Sequence, residues 1–133
     1  MTRYAIDAPT ALRLVAGGRA PGGPHALVAP SVLRTDALEI LYRDLRAGRL
    51  SDAEGRRLLD GVATLKIRLL GDRVSRATAW RIAVRFDADD TRLAEYLAVA
   101  TLQADVLVTD DPALRAAAEH IDLALATFED LAL

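Results

Sequence analysis

The chain contains no cysteine, few aromatic residues and no long apolar run. The absence of cysteine excludes disulfide bonds, thiolate catalysis and a zinc site built from Cys and His ligands. No apolar stretch approaches the roughly 20 residues that a membrane-spanning helix needs, and the first residues lack the pattern of a secretory signal. We therefore expect a soluble, cytoplasmic protein with no membrane partner.

The chain also lacks a strong charge of either sign. Its 17 Lys and Arg residues and 19 Asp and Glu residues give a net charge of -2, so no global attraction draws it to nucleic acid. Much of the arginine lies between Arg43 and Arg85, and Arg suits phosphate recognition. For any single arginine, a solvated helix face is the commoner explanation.

The composition that is present favours one layered domain. Hydrophobic residues, mostly Ala, Leu and Val, make up 52% of the 133 residues. A chain of this length buries roughly two-thirds of the surface that it exposes when unfolded. We expect a single domain over residues 1–133, in which helices cover a sheet.

Short apolar runs alternate with segments of helical periodicity. The predicted strands are residues 3–6, 25–29, 65–69, 105–109 and 121–125, with 65–69 as a half-exposed edge strand. The predicted helices are residues 9–15, 30–47, 51–63, 74–86, 93–102 and 112–119, and residues 20–24 are predicted to form a loop. Strands separated by helices indicate a parallel sheet covered on both faces.

Three aspartates lie where apolar segments end or helices begin. Asp7 follows the first strand, Asp111 follows the fourth, and Asp36 lies in the helix after Pro30. Parallel α/β folds place their chemistry at the carboxyl ends of strands. Neighbouring carboxylates disfavour one another's ionisation unless a cation lies between them, so convergence of the three would imply a divalent metal.

Each aspartate also has an ordinary structural explanation. Asp7 suits a helix N-cap, and Asp36 suits a solvated position within a helix. Asp110 and Asp111 directly precede Pro112, so one of them is expected to cap the helix that follows. These alternatives remain open from the residues alone.

Four segments, in order and at plausible spacing, resemble the landmarks of PIN-domain ribonucleases, most closely the VapC-type toxins of bacterial toxin-antitoxin systems. They are residues 4–8 (YAIDA), 29–36 (APSVLRTD), 94–100 (AEYLAVA) and 107–111 (LVTDD). The resemblance spans essentially the whole chain, and no single motif among them would suffice.

The resemblance implies a three-layer α/β/α PIN-like domain around a central, mostly parallel sheet of about five strands. It also implies an acidic pocket that binds Mg²⁺ or Mn²⁺ and cleaves RNA. In toxin members a small VapB-like antitoxin blocks this pocket. A homodimer is expected too, with helices such as residues 30–47 as contact surfaces.

The family's site residues transfer to this chain one position at a time. Asp7, Asp36 and Asp111 match catalytic, metal-binding carboxylates, and Asp36 stands where such proteins usually have Glu. Thr109 matches a hydroxyl position behind the metal ligands, and Asp110 is a second supporting candidate.

One expected carboxylate is missing. It normally lies three residues before the tyrosine that Tyr96 matches, where this chain has Leu93. An apolar side chain cannot coordinate a hard cation. Asp89 and Asp90 precede this helix by about one turn, and Asp90 is the candidate substitute ligand.

Two functions follow from this pattern. The favoured hypothesis is a Mg²⁺-dependent endoribonuclease that hydrolyses RNA phosphodiester bonds as the toxin of a VapBC-type pair, because three of four expected carboxylates persist. The alternative is a catalytically impaired PIN-like domain that binds RNA or an antitoxin, because Leu93 removes a metal ligand.

Overall fold

Strands and helices alternate along the chain, as the hydrophobic pattern predicts. The computed structural model describes residues 1–18 and 25–131, so the predicted loop at residues 20–24 lies outside the described residues. The elements, in order, are β1 Arg3–Ile6, α1 Ala8–Ala16, β2 Ala26–Pro30, α2 Leu33–Arg46, α3 Asp52–Thr64, β3 Arg68–Leu70, α4 Arg73–Phe86, α5 Arg92–Gln103, β4 Val106–Val108, α6 Pro112–His120 and β5 Leu125–Ala126.

The five described strands form one parallel sheet in the order β3-β2-β1-β4-β5. Ala5 of β1 pairs with Val28 of β2 on one side and with Leu107 of β4 on the other. The parallel sheet is therefore confirmed, and β3 is an edge strand as predicted. Because the chain winds outward from β1 in both directions, the strand order reverses between β1 and β4, where a crevice opens at the carboxyl ends.

Helices cover both faces of this sheet and complete a three-layer α/β/α fold. Right-handed crossovers place α1, α2 and α3 on one face and α4, α5 and α6 on the other. The packing agrees, because α1, α2 and α3 contact one another, while α5 contacts β1, β2, α4 and α6. No helix in the described part of the chain is long and apolar enough to cross a membrane.

The core is aliphatic and lies on the central strands. Ile6, Leu107 and Val108 are almost completely buried, and α5 contributes a buried run from Tyr96 to Ala100. The prediction of a buried, Ala-rich helix here is confirmed. A central strand covered on both faces has no solvent side, which explains why β1 and β4 are nearly continuous apolar runs.

Strand β3 begins at Arg68 rather than at residue 65, because Leu65 still belongs to the end of α3, and two further boundaries differ from the sequence prediction. Helix α2 begins at Leu33, because Pro30 belongs to β2 and pairs with Leu70 of β3. Strand β5 begins at Leu125, because Asp122 adopts a left-handed conformation (φ 57°) in the turn that follows α6. Local chain reversal replaces strand geometry there, although residues 121–125 have an apolar composition.

Candidate active-site cleft

A cleft of about 250 Å³ opens where β1 and β4 end. The ends of these strands and the first turns of α1 and α6 form its floor, while α2 and α5 form its walls. Its lining residues are Asp7, Ala8, Pro9, Asp36, Ile40, Arg43, Arg92, Leu93, Tyr96, Asp111 and Leu114. All three aspartates predicted as catalytic from the sequence therefore line one cleft, at the switch point of the sheet.

Asp7 is the most constrained carboxylate of the cleft. It directly follows β1, is only 5% exposed, and caps the N-terminus of α1. Its Oδ1 accepts hydrogen bonds from the backbone N–H (3.1 Å) and the hydroxyl of Thr10, and its Oδ2 accepts one from the hydroxyl of Thr109. Asp7 is thus both the N-cap of α1 and a lining residue of the cleft. The structural explanation of this residue does not exclude the functional one.

Thr109 connects the ends of β1 and β4. Its buried hydroxyl donates to Asp7 and accepts the backbone N–H of Asp111 at 3.0 Å. Asp111 in turn caps α6, because its Oδ1 accepts from the backbone N–H groups of Ala113 and Leu114 at 2.9 and 3.1 Å. Its Oδ2 accepts no hydrogen bond from a described residue, which leaves this oxygen for a ligand in the cleft.

Asp36 reaches the cleft from the wall rather than from a strand end. It lies in the first turn of α2, is half-buried, and accepts a 2.6 Å hydrogen bond from the Tyr96 hydroxyl of α5. Burial raises the pKa of Tyr96 well above its usual range, and the hydrogen bond to Asp36 and the negative charges of Asp36 and Asp7 raise it further. Tyr96 therefore remains a neutral hydrogen-bond donor close to both carboxylates.

Three lining residues that carry no carboxylate shape the chemistry of the walls. Arg43 lies on α2 and pairs with Glu39 at 2.9 Å, whereas Arg92 forms no ion pair with a described residue. The charge of Arg92 still acts on Tyr96 and lowers its pKa slightly against the raising effects. Leu93 lines the cleft beside Arg92 and offers no donor atom.

The sequence prediction missed the two cleft arginines, although a signal for one of them was present. Arg43 lies seven residues after Asp36, which is two helical turns, so both side chains share one face of α2. Arg92 directly precedes the position with the missing carboxylate. Only the packing of α5 against β1 and β2 reveals that it faces the cleft.

Two candidates from the sequence are not among the residues that line this cleft. Asp110 is exposed and pairs with Arg13 at 3.1 Å, because the chain turns at the end of β4 and directs successive side chains to different sides. Asp90 is exposed, accepts the backbone N–H of Arg92 at 3.1 Å, and lines a separate depression beside α4. Asp110, predicted as a supporting residue, and Asp90, predicted as a substitute ligand, therefore remain predictions that this geometry does not favour.

The carboxylate oxygens of the cleft are suitable ligands for a hard cation, but few of them lie close together. Carboxylate oxygens are what Mg²⁺ and Mn²⁺ prefer. Within residues 1–18 and 25–131, however, no three His, Asp or Glu side chains lie close enough together to hold one ion. Magnesium usually retains several waters and needs only one or two protein carboxylates. The residues therefore fit an ion that is held largely through water.

Comparisons with known proteins support the fold alone. No protein-family model matches the chain, and no curated protein is significantly similar to it. Among solved structures, the crystal structure of PAE2754 from Pyrobaculum aerophilum is similar, with a TM-score of 0.73 and 24% sequence identity. The match covers 98% of this chain and 92% of that chain. It confirms the three-layer α/β/α arrangement.

Proposed function

We propose that the protein is a metal-dependent endoribonuclease that hydrolyses RNA phosphodiester bonds, with the PIN-like, VapC-type site that its sequence resembles. The observation that supports this proposal is the convergence of Asp7, Asp36 and Asp111 on one cleft at the sheet's switch point. Natural folds avoid gathering carboxylates unless a cation or a proton compensates them. We place the reaction in the cytoplasm, as the resemblance to bacterial toxins implies.

Asp7, Asp36 and Asp111 are the residues that would hold Mg²⁺ or Mn²⁺. When bound, the ion supplies a more acidic water and compensates negative charge on the phosphate. Thr10 and Thr109 fix the carboxylate of Asp7 through their hydroxyls. Such partners behind metal ligands typically contribute 10- to 100-fold to metal affinity or activity.

The walls of the cleft would position the RNA. Tyr96 keeps its proton and orients Asp36 through the 2.6 Å hydrogen bond. Arg43 and Arg92 place guanidinium groups at the cleft, and guanidinium is well suited to phosphate oxygens. The net charge of -2 gives no long-range attraction, so these local cations carry the recognition of phosphate.

The central test is RNA cleavage by the purified chain with Mg²⁺, with Mn²⁺ and with EDTA. We expect cleavage only with metal, and we expect Asp7→Asn to reduce it by at least about 100-fold, because the substitution removes the charge that holds the ion. The matched control is Asp60→Asn, which makes the same change at an exposed carboxylate on α3. This variant should cleave RNA like the wild type. RNA cleavage that is undiminished in EDTA, or in the Asp7→Asn variant, would contradict the proposal.

A second candidate, a PIN-like domain that binds RNA or an antitoxin without efficient cleavage, is favoured by Leu93. This side chain lines the cleft where the resemblance calls for a carboxylate. We expect Leu93→Asp to tighten Mg²⁺ binding in a calorimetric titration and to raise cleavage, whereas Leu93→Asn should do neither. If the wild type binds RNA in EDTA but never cleaves it with metal, the binding function is correct.

The proposal includes a small VapB-like antitoxin that blocks the cleft. A neighbouring reading frame encoding a short protein would supply the candidate. Added in equal amount, this protein should abolish cleavage. Cleavage that continues in a complex of the two would separate the ribonuclease from the toxin-antitoxin assignment.

A further inference from the structure

The residue beside the missing carboxylate is a cation. Arg92 is the first residue of α5, is exposed, and lines the cleft directly before Leu93. Its backbone N–H donates to Asp90 at 3.1 Å, which holds the start of the helix in place beside the cleft. A cation in the first turn opposes the helix dipole, so α5 gains no stability from this charge. The position of Arg92 therefore needs an explanation outside the helix.

The charge of Arg92 acts on the acidic side of the cleft. Tyr96, one turn further along α5, donates to Asp36 at 2.6 Å. Burial raises the pKa of Tyr96 and the charge of Arg92 opposes this rise, so the guanidinium lies within electrostatic range of the pair. Arg92 forms no ion pair with any residue in the described part of the chain. Its charge is therefore available to a ligand in the cleft.

The other arginine of the cleft differs in this respect. Arg43 on α2 pairs with Glu39, four residues before it, at 2.9 Å. Glu39 is not among the lining residues, so it compensates Arg43 from outside the cleft. The charge of Arg43 is thus balanced within its own helix before any substrate binds, whereas the charge of Arg92 is not.

The remaining charges of the cleft match those of one divalent ion. Three carboxylates and two guanidinium groups line the cleft. Because Glu39 compensates Arg43, three negative charges and the positive charge of Arg92 remain, which leaves two units of negative charge. An aspartate at position 93 and an uncharged residue at position 92 would instead leave four units, enough to balance two divalent ions. Residues 92 and 93 together thus change the charge of the cleft by the charge of one ion.

We infer that Arg92 takes the place of a second metal ion, so that the cleft holds one divalent ion and the guanidinium of Arg92 contacts the phosphate that is cleaved. This inference rests on the proposed ribonuclease function. Two-ion sites hold their ions about 3.5–4 Å apart, which requires several carboxylates at one place. Leu93 offers no oxygen, and among residues 1–18 and 25–131 no three His, Asp or Glu side chains lie close enough together to hold an ion. The cleft therefore supplies a fixed cation where ligands for a second ion are few.

A guanidinium group can compensate the charge that a second ion would compensate. Hydrolysis forms a bond between a water oxygen and phosphorus, and it breaks the bond between phosphorus and the leaving ribose oxygen. One hydrogen of the water ends on that ribose oxygen, and the other goes to the new phosphate group. Arg92 neither gives nor takes a proton, because guanidinium remains protonated in proteins. Its parallel N–H groups donate to phosphate oxygens that carry negative charge in the transition state.

The first test measures kcat and KM for RNA cleavage at saturating Mg²⁺. We expect Arg92→Gln to lower kcat by about 100-fold and to change KM little, because the contact is strongest in the transition state. Arg92→Lys keeps the charge without the planar fork and should recover part of the loss. The matched control is Arg73→Gln, since Arg73 is also an exposed arginine at the first position of a helix, α4, but does not line the cleft. Equal kinetics for Arg92→Gln and Arg73→Gln, or a rise in KM alone, would overturn the inference.

The second test counts bound ions and needs no cleavage. Titration with Mn²⁺, followed by the electron paramagnetic resonance of the free ion, should give one bound ion per wild-type chain. The double variant Arg92→Gln/Leu93→Asp should bind two. Two ions on the wild type, or one on the double variant, would overturn the inference. If Arg92→Gln cleaves like the wild type in a metal-dependent reaction, this inference fails and the ribonuclease proposal stands. If the wild type never cleaves RNA, the ribonuclease proposal fails, and the ion count still decides whether Arg92 replaces an ion.

Discussion

The floor and the walls of the cleft are built by different means. On the floor, Asp7 and Asp111 follow strand ends and cap helices, and Thr109 ties them together through its hydroxyl. On the walls, Asp36 and Tyr96 come from two helices and are joined by one hydrogen bond. The floor is therefore fixed by the backbone of the sheet, whereas the walls depend on how α2 and α5 pack.

This difference decides which part of the site tolerates change. A buried carboxylate that accepts three hydrogen bonds, as Asp7 does, loses stability when any donor is removed. A half-buried carboxylate with one donor, as Asp36 has, can be rehydrated. Loss of a hydrogen-bond donor on the floor should therefore lower stability more than loss of the single donor on the wall.

Thr109→Val should have the largest effect on stability and gives the sharpest test of the floor. Valine keeps the shape of threonine but removes the hydroxyl that donates to Asp7 and accepts the amide of Asp111. Because both groups are then left without this partner, the free energy of unfolding should fall by about 2 kcal/mol. Urea denaturation measures this change.

Thr101→Val is the matched control for that loss. Among the residues that the structure describes, the Thr101 hydroxyl donates to the backbone carbonyl of Leu97 within α5 alone, and Thr101 is exposed. The same isosteric change here should alter stability by no more than about 0.5 kcal/mol. Equal losses at Thr101 and Thr109 would mean that the floor is no more constrained than the helix surface.

Tyr96→Phe tests the wall and should cost about 1 kcal/mol near neutral pH. The substitution keeps the buried ring and removes only the hydroxyl that donates to Asp36. Because Asp36 then loses the group that orients it, RNA cleavage should fall by roughly tenfold. Unchanged cleavage would show that the position of Asp36 does not depend on Tyr96.

The same variant has a signature at alkaline pH. Burial and nearby negative charge raise the pKa of Tyr96, so the folded protein keeps a proton that the unfolded chain releases above about pH 10. The contribution of protonated Tyr96 to the free energy of unfolding is fully present below that pH. It is lost as the pH rises, by about 1.4 kcal/mol per pH unit. Tyr96→Phe should lack this part of the slope, measured by denaturation between about pH 9.5 and 11.

The sequence was sufficient for the floor because strand ends are visible in it. Asp7 and Thr109 each follow an apolar run, and a parallel sheet brings the carboxyl ends of such runs together. The sheet and nearly all helices follow from the same pattern. The starts of α2 and β5 do not, since they depend on strand pairing and on a left-handed turn.

The walls could not be predicted to the same degree, because their geometry depends on how the helices pack in the tertiary structure. The resemblance to a family supplied Asp36, but which face of α5 meets the cleft depends on packing against β1 and β2. For this reason the sequence did not predict Arg92 as a cleft residue. It placed Asp90 at the cleft, whereas Asp90 lines the depression beside α4. Adjacent residues at a strand end, such as Asp110 and Asp111, present the same difficulty.

Asp110→Asn and Asp111→Asn have the smallest expected effect on stability and the clearest contrast in function. Asp110 forms an exposed ion pair with Arg13, and such pairs contribute about 0–1 kcal/mol. Asparagine caps a helix as well as aspartate does, so Asp111→Asn should also unfold almost like the wild type. Only Asp111→Asn removes charge from the cleft, so it alone should reduce Mg²⁺-dependent RNA cleavage, by at least about tenfold. Equal activity in the two variants would mean that Asp111 is not a metal ligand, although it lines the cleft. Asp111 would then cap α6 without taking part in catalysis.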